Sequence, residues 1–240
     1  MGTLKRQFIA PALYIVATPI GNLKDITLRA LEVLKEADMI LCEDTRHTSR
    51  LLGHYEISKP LVSYFQHSKL SKVEYIIGQL RHGKKVALVT DAGTPGISDP
   101  GGQLIKYITC NMEQRGDEIK IVPIPGASAA TAALSVSGFP TDKFIFMGFP
   151  PHKKGREKYF KEIAEAKYTV VFYESVHRIL KTLNQLIITP NLTDRQIVVC
   201  RELTKIHETI YRGTAKEVLT KLEQDKSSIR GEFVIICKGN

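Results

Sequence analysis

The chain has 240 residues, 43% hydrophobic and 25% charged, enough apolar content to bury a real core in one large or two small domains. A formal charge of +9, from 34 Lys and Arg against 25 Asp and Glu, favours a polyanionic partner, although scattered basic residues also solvate helix faces. The four cysteines (Cys42, Cys110, Cys200, Cys237) form no CxxC pair and the seven histidines no HExxH pattern, so no zinc site is expected.

The basic and apolar start superficially resembles a signal peptide, but Pro11 interrupts the apolar stretch. Leu13–Ala17 reads better as a first strand running into the turn Thr18–Asn22. No stretch approaches the roughly 20 apolar residues of a membrane span, so a cytoplasmic protein is expected. Asp25 is placed to cap a helix over Ile26–Ala37, with Ile26, Ala30, Val33 and Leu34 on one face. Met39–Cys42 is a second strand, ending in the polar run Glu43–Thr48, and Leu61–Phe65 a third. A helix over Ser71–Arg81 stops at Gly83.

The strand Val86–Val89 then feeds a long turn, Asp91–Gly102, rich in Gly and Pro and holding Asp91 and Asp99. In open α/β folds such a loop, at the carboxyl end of a strand, is where ligands bind, though Gly and Pro also punctuate plain turns. A helix to Gly116 and a strand Ile119–Ile124 complete a first half that reads as a mostly parallel sheet covered on both faces. The small-residue helix Ala127–Ser137 suits either close ligand approach or tight packing. The second half reads as strands Phe144–Phe149, Thr169–Tyr173, Gln196–Glu202, His207–Arg212 and Glu232–Cys237, with helices Gly155–Ala166, Val176–Leu186 and Ala215–Leu222. The strand at His207–Arg212 is expected antiparallel to its predecessor across a short turn. Two α/β domains are expected, 1–123 and 124–240.

No GxGxxG, GxxxxGK[ST] or GxSxG pattern is present, which disfavours a nicotinamide dehydrogenase, a phosphate-loop nucleotidase and an α/β-type serine hydrolase. Five blocks occur in order: LYIVATPIGNLKDITLRALEVLKEADMILCEDTRHTSRLL, VTDAGTPGISDPG, PIPGASAATAALSVSGFP, FYESVHRI and RELTKIHE. Together they resemble the tetrapyrrole methylase superfamily, and within it the bacterial enzymes that methylate a cytidine ribose of small-subunit (16S) ribosomal RNA. The resemblance spans about Leu13 to Cys237. It implies an α/β, two-domain, class III methyltransferase fold with S-adenosylmethionine in the interdomain cleft, a homodimer, and 16S rRNA or the small ribosomal subunit as partner. The sequence alone leaves a small-macrocycle methylase or a non-catalytic rRNA-binding assembly factor as alternatives.

Carried onto matching positions, the resemblance implies cofactor contacts at Pro19, Ile20, Asp91, Ala92, Gly93, Ile97, Ser98, Ser128, Ala129, Tyr173, Glu174, Ser175, Gly231 and Glu232. Asp99 is expected mainly to hold the loop in shape. Candidates for handling the acceptor's proton or holding the acceptor are Asp44, Arg46, His47, Glu174, Glu202 and Lys205, with His207 beside them. Glu202 with Lys205 reads equally as a bracing ion pair. Arg46, Lys153, Lys154, Arg156 and Arg178 are candidate RNA contacts, the arginines because a planar fork suits phosphate. His152, Lys158, Arg81, Lys84 and Lys85 extend that basic track. Ser63–Ser68 reads SYFQHS where many relatives carry SYHEHN, which separates Phe65 and Gln66 from the family pattern.

Overall fold

The computed structural model describes residues 10–65, 68–99, 101–115, 119–224 and 229–240. Gln66, Pro100 and Gly116 lie outside the described residues, as does the stretch 1–9. The chain divides into two compact units, Met1–Ser128 and Ala129–Asn240. Segment 125–128 belongs with the first, which it joins through the Thr94 hydroxyl bond to the Ala127 carbonyl.

In the first unit the strands are β1 (Ala12–Val16), β2 (Met39–Cys42), β3 (Leu61–Ser63), β4 (Lys85–Leu88) and β5 (Ile121–Ile124). They form one sheet in the order β3-β2-β4-β1-β5, and every pairing is parallel. The helices are α1 (Leu28–Glu36), α2 (Thr45–His54), α3 (Leu70–Arg81) and α4 (Gly102–Arg115). Alternation along β1 sends Tyr14 and Val16 into a cluster with Ala30, Val33 and Leu34 of α1. Leu13 goes to the opposite face, with Ile76 and Leu80 of α3 and Leu104 and Ile108 of α4. Both faces are covered, as a parallel sheet requires. Because α1 and α4 leave neighbouring strands toward opposite faces, β1 and β4 mark the topological switch point, where the loops diverge and expose a crevice.

Two local expectations are corrected. Thr27, not Asp25, caps α1, its hydroxyl accepting the Ala30 N–H at 3.1 Å. Asp25 instead ends a short 3-10 turn, Leu23–Asp25, capped by Asn22. The polar run after β2 is helical: Asp44 caps α2, which buries Thr48, Leu51 and Leu52 at helical spacing, a face that polar Thr48 makes hard to read from the sequence.

The second unit holds helices α5 (Ala129–Ser137), α6 (Arg156–Glu165), α7 (Ile179–Ile188) and α8 (Ala215–Gln224). Its strands are β6 (Phe144–Phe146), β7 (Thr169–Ser175), β8 (Gln196–Arg201), β9 (Thr209–Thr214) and β10 (Glu232–Cys237). They pair in the order β6-β7-β10-β8-β9, parallel only between β6 and β7. One face packs Phe160, Ile163, Leu183, Leu186, Val218 and Leu222 from α6, α7 and α8 against Phe172, Val199 and Ile235. On the other face α5 lies against β7 and β10, with Ala130 and Ala133 buried, so its small residues serve close packing. Cys42, Cys200 and Cys237 are buried thiols and Cys110 is exposed.

Candidate active site

Three loops meet at the carboxyl end of the first sheet. Thr18 and Gly93 exchange backbone bonds, Thr18 N–H to the Gly93 carbonyl at 2.9 Å and the reverse at 3.0 Å. The Thr18 hydroxyl donates to the Thr90 carbonyl at 3.1 Å. Gly93 adopts φ +84°, a conformation strained for an L side chain, and a Cβ there would lie 3.6 Å from Ile20 Cγ2. The structure thus gathers Pro19, Ile20, Ala92, Gly93 and the 125–128 segment. Pro19 and Ile20 are buried, whereas Asp91, Ala92, Ile97 and Ser98 are exposed along the loop. Ser98 takes a left-handed φ of +61°.

The same rim carries an acidic group that the sequence reading missed. Burial first, then the charges of Asp99 and Asp91, push the Glu43 carboxyl up to about 7. Burial and Asp91 push Asp99 up to about 6. His47 reaches this group, with Nδ1 3.9 Å from Asp91 Oδ1. Asp44 behaves oppositely. Its side chain accepts from Arg46 Nε at 3.1 Å, Nη2 at 2.7 Å and the Arg46 backbone N–H at 2.8 Å, which hold it well below the usual carboxylate range. Arg46 is 86% exposed and projects into solvent. Two acidic residues directly after an apolar strand were the available signal for Glu43.

In the second unit the ends of β7, β8 and β10 form another rim. The Tyr173 hydroxyl accepts the Ala130 N–H at 3.2 Å, fixing the start of α5, where Ala129 is half-buried. Ser128, also half-buried, ends the first unit. The Tyr173 ring meets Phe146 and Phe149 edge-on at 5.0 and 5.4 Å. Ser175 lies opposite Glu232 across the β7–β10 ladder. Lys205 Nζ bridges Glu202 at 2.7 Å and Glu232 at 3.0 Å, and Glu202 also accepts the Glu232 N–H at 3.0 Å. Burial opposes both charges, but these hydrogen bonds prevail, lowering the Glu202 carboxyl and raising the Lys205 ammonium. His207 is exposed beside this rim.

Three assignments fall to burial. Glu174 is 1% exposed. It accepts from Arg178 Nε at 2.8 Å, the Ser175 N–H at 2.8 Å and the Thr182 hydroxyl at 2.5 Å, with Arg156 Nη1 at 3.9 Å. No face is left for a cofactor or a substrate proton. Arg156 is 5% exposed, donates to Thr182 and to the Pro151 carbonyl and covers the Phe160 ring, so it cannot reach a phosphate on an RNA surface. Arg178, its side chain 14% exposed, is committed to Glu174 and to the Pro150 carbonyl at 2.7 Å. The two arginines instead hold the backbone that displays His152, Lys153 and Lys154, all exposed, with Lys158 exposed on the first turns of α6. Lys84 and Lys85 are compensated by Asp38 at 3.8 Å and Glu36 at 3.6 Å. Phe65 is 47% exposed.

A parallel sheet with glycine-rich loops at its switch point, joined to a mixed sheet with polar strand ends, is the pattern of one methyltransferase family. The family model "Tetrapyrrole (Corrin/Porphyrin) Methylases" matches residues 12–219, and the chain belongs to that family. Its members use S-adenosylmethionine as methyl donor. Relatives named Ribosomal RNA small subunit methyltransferase I include one from Halalkalibacterium halodurans, 45% identical over 95% of this chain and 76% of its own length. Another, from Thermotoga maritima, is 44% identical over 95% of this chain and 98% of its own length. Among solved structures, a cobalt precorrin-4 methyltransferase superposes with TM-score 0.67 at 22% identity, covering 95% of each chain. Uroporphyrin-III-C-methyltransferase from Thermus thermophilus gives 0.61 at 19% identity, covering 95% of this chain and 94% of its own.

The residues present fit that cofactor chemically. The Asp91–Ser98 loop offers exposed backbone, a carboxylate and the exposed apolar Ile97, while Gly231 has room for no side chain of its own because the Glu202 carboxyl group packs against it.

Proposed function

We propose that this chain methylates the ribose 2′-oxygen of a cytidine in small-subunit ribosomal RNA, using S-adenosylmethionine, and that it acts in the cytoplasm as a homodimer. The observation carrying this reading is the contrast in identity. Relatives named for ribosomal RNA share about 45% over nearly the whole chain, whereas the macrocycle methylases of known structure share about 20%. The latter likeness is one of fold alone.

In this reading the cofactor contacts of the first unit are Pro19, Ile20, Asp91, Ala92, Gly93, Ile97 and Ser98, with Ser128 at its end. Those of the second unit are Ala129, Tyr173, Ser175, Gly231 and Glu232. When bound, S-adenosylmethionine supplies a sulfonium methyl already activated for transfer. What remains for the protein is to position the acceptor hydroxyl and accept its proton, and positioning alone supplies about 7 kcal/mol or more in favourable cases. Among the candidate bases, Glu43 is matched to neutral pH, because a base works best with a pKa near the working pH. Asp44, held low by Arg46, is a weak base and serves to fix that arginine at the start of α2. Arg46, Lys153 and Lys154 contact RNA phosphates.

The test is transfer of labelled methyl groups from S-adenosylmethionine to small subunits lacking the modification, mapped by mass spectrometry. A methyl on one cytidine ribose is expected. Transfer to a base, or to a precorrin and not to RNA, would overturn the reading.

A further inference from the structure

A cavity of about 300 Å³ opens on the second unit, at the end of its sheet away from Tyr173–Ser175 and Glu232. Its lining includes Lys143, Lys167 and Lys238, with Tyr168 between them and Asp142 as the opposing acidic side chain. The lysines come from three places brought together by the β6-β7-β10 order: before β6, before β7 and after β10. None of the three is ion-paired among the described residues, and all are exposed. Lys143 Nζ rides over the Tyr168 ring at 5.5 Å from its centroid, which holds the ammonium without neutralising it.

The walls are fixed rather than draped. The buried Thr169 hydroxyl donates to the Pro140 carbonyl at 2.7 Å. Lys238 N–H donates to the Gln196 carbonyl at 3.1 Å, and Asn240 N–H to the Ala166 carbonyl at 3.2 Å. Gly239 lies so close to the Lys167 carbonyl that a Cβ would stand 2.3 Å from it. Three lysines lining one held concavity are suited to a phosphate, since each is a point donor needing no planar partner.

We infer that this cavity is a second RNA-binding site, taking a backbone phosphate of the substrate away from the nucleotide being methylated. It rests on the reading that RNA is the substrate. The length of β7, Thr169 to Ser175, separates it from the polar rim by about 20 Å at roughly 3.3 Å per residue. In a duplex that distance corresponds to about six base pairs at 3.4 Å each. The site therefore reads the shape of a helix flanking the target, and supplies affinity without sequence.

The experiment compares wild type with the triple variant Lys143→Gln, Lys167→Gln, Lys238→Gln. A charge-matched control carries Lys161→Gln, Lys181→Gln and Lys216→Gln on exposed helix faces. Binding of a fluorescent oligoribonucleotide duplex is measured across a salt series, and methyl transfer to small subunits is measured in parallel. We expect the pocket variant to bind duplex about tenfold more weakly at low salt, with a log–log salt slope shallower by about 2 to 3, and to raise KM while kcat and S-adenosylmethionine affinity hold. Tyr168→Leu should weaken binding by a smaller factor, and Tyr168→Phe should not. An unchanged slope, or the same loss in the control, overturns the inference. If duplex binding falls as expected but wild type methylates no ribosomal RNA, the pocket stands and the substrate reading fails.

Discussion

Replacing Glu174 separates bracing from catalysis. Its carboxylate is fully buried and is, among the described residues, the sole acidic partner of two guanidiniums, Arg178 at 2.8 Å and Arg156 at 3.9 Å, whose side chains are 14% and 6% exposed. Removing one partner of a buried pair leaves uncompensated charge and costs about 3 to 5 kcal/mol. Both arginines keep carbonyl or hydroxyl acceptors, at Pro150, Pro151 and Thr182, which places Glu174→Ala near the lower end, about 3 kcal/mol. Glu174→Gln keeps the volume and one acceptor but loses the charge, and should cost about 2 kcal/mol. The chain has no tryptophan, so unfolding in urea is followed by far-ultraviolet circular dichroism. With a slope of about 2 kcal/mol per molar, these losses move the midpoint by about 1.5 M and 1 M. Because Arg156 and Arg178 anchor the Pro150–Pro151 backbone, KM for RNA should rise in the folded variant while kcat stays within a few-fold. A Gln variant with an unmoved midpoint and an abolished kcat would refute the bracing role and return Glu174 to the chemistry.

Two further outcomes follow from the rims. Glu43 and Asp99 are raised to about 7 and about 6 from ordinary values of 4.5 and 3.8, so the folded state binds protons that the unfolded chain has released. Stability from these groups is present at low pH and is lost as pH rises through the interval from about 4 to 7. Glu43→Gln should remove much of that slope and, after solvent screening, stabilise the protein at pH 8 by about 1 to 2 kcal/mol. The difference in melting temperature between the two proteins across pH checks this, and a difference independent of pH sinks it. Gly231 has φ +90°, and a Cβ there would stand 2.3 Å from the Glu202 carboxyl group. Gly231→Ala should displace Glu202 from Lys205 and the Glu232 N–H and weaken S-adenosylmethionine binding at least tenfold by calorimetry. Unchanged affinity would remove the β10 start from the cofactor site.

Most of the architecture was readable because apolar runs and turn residues coincide with strand ends. Met39–Cys42 and Glu232–Cys237 were bounded as the structure has them, and the expected antiparallel return of β9 onto β8 is observed. What failed was whatever depends on partners distant in sequence. Helix α2 buries Thr48, Leu51 and Leu52 on one face, but only two of these are apolar, so the period is weak in the sequence. Arg156 sits in a run of solvent-facing lysines, and only the fold reveals that Glu174 and Thr182 draw it inward. The raised pKa of Glu43 comes from burial beside Asp99 and Asp91, which belong to a later loop. The glycine-rich loop was legible as a turn at the carboxyl end of a strand, but the carboxylate opposite it was not.

The basic character of the chain divides in the same way. A charge of +9 says only that cations exceed anions, and the structure sorts the cations by task. Arg156 and Arg178 are spent inside the second unit, and Lys84 and Lys85 face acidic neighbours. Exposed lysines at the Pro150–Gly155 loop and around Tyr168 are two groups that remain open to a polyanion. In the proposed function the buried arginines bear on RNA indirectly: their donors fix the carbonyls of Pro150 and Pro151, so Lys153 and Lys154 are presented from an anchored backbone. A phosphate meeting them does not first have to order the loop, and the entropy of ordering, about 1 to 2 kcal/mol per residue, has already been met in folding. If the proposed function holds, guanidiniums that never touch RNA thereby govern how firmly the exposed ammonium groups hold it.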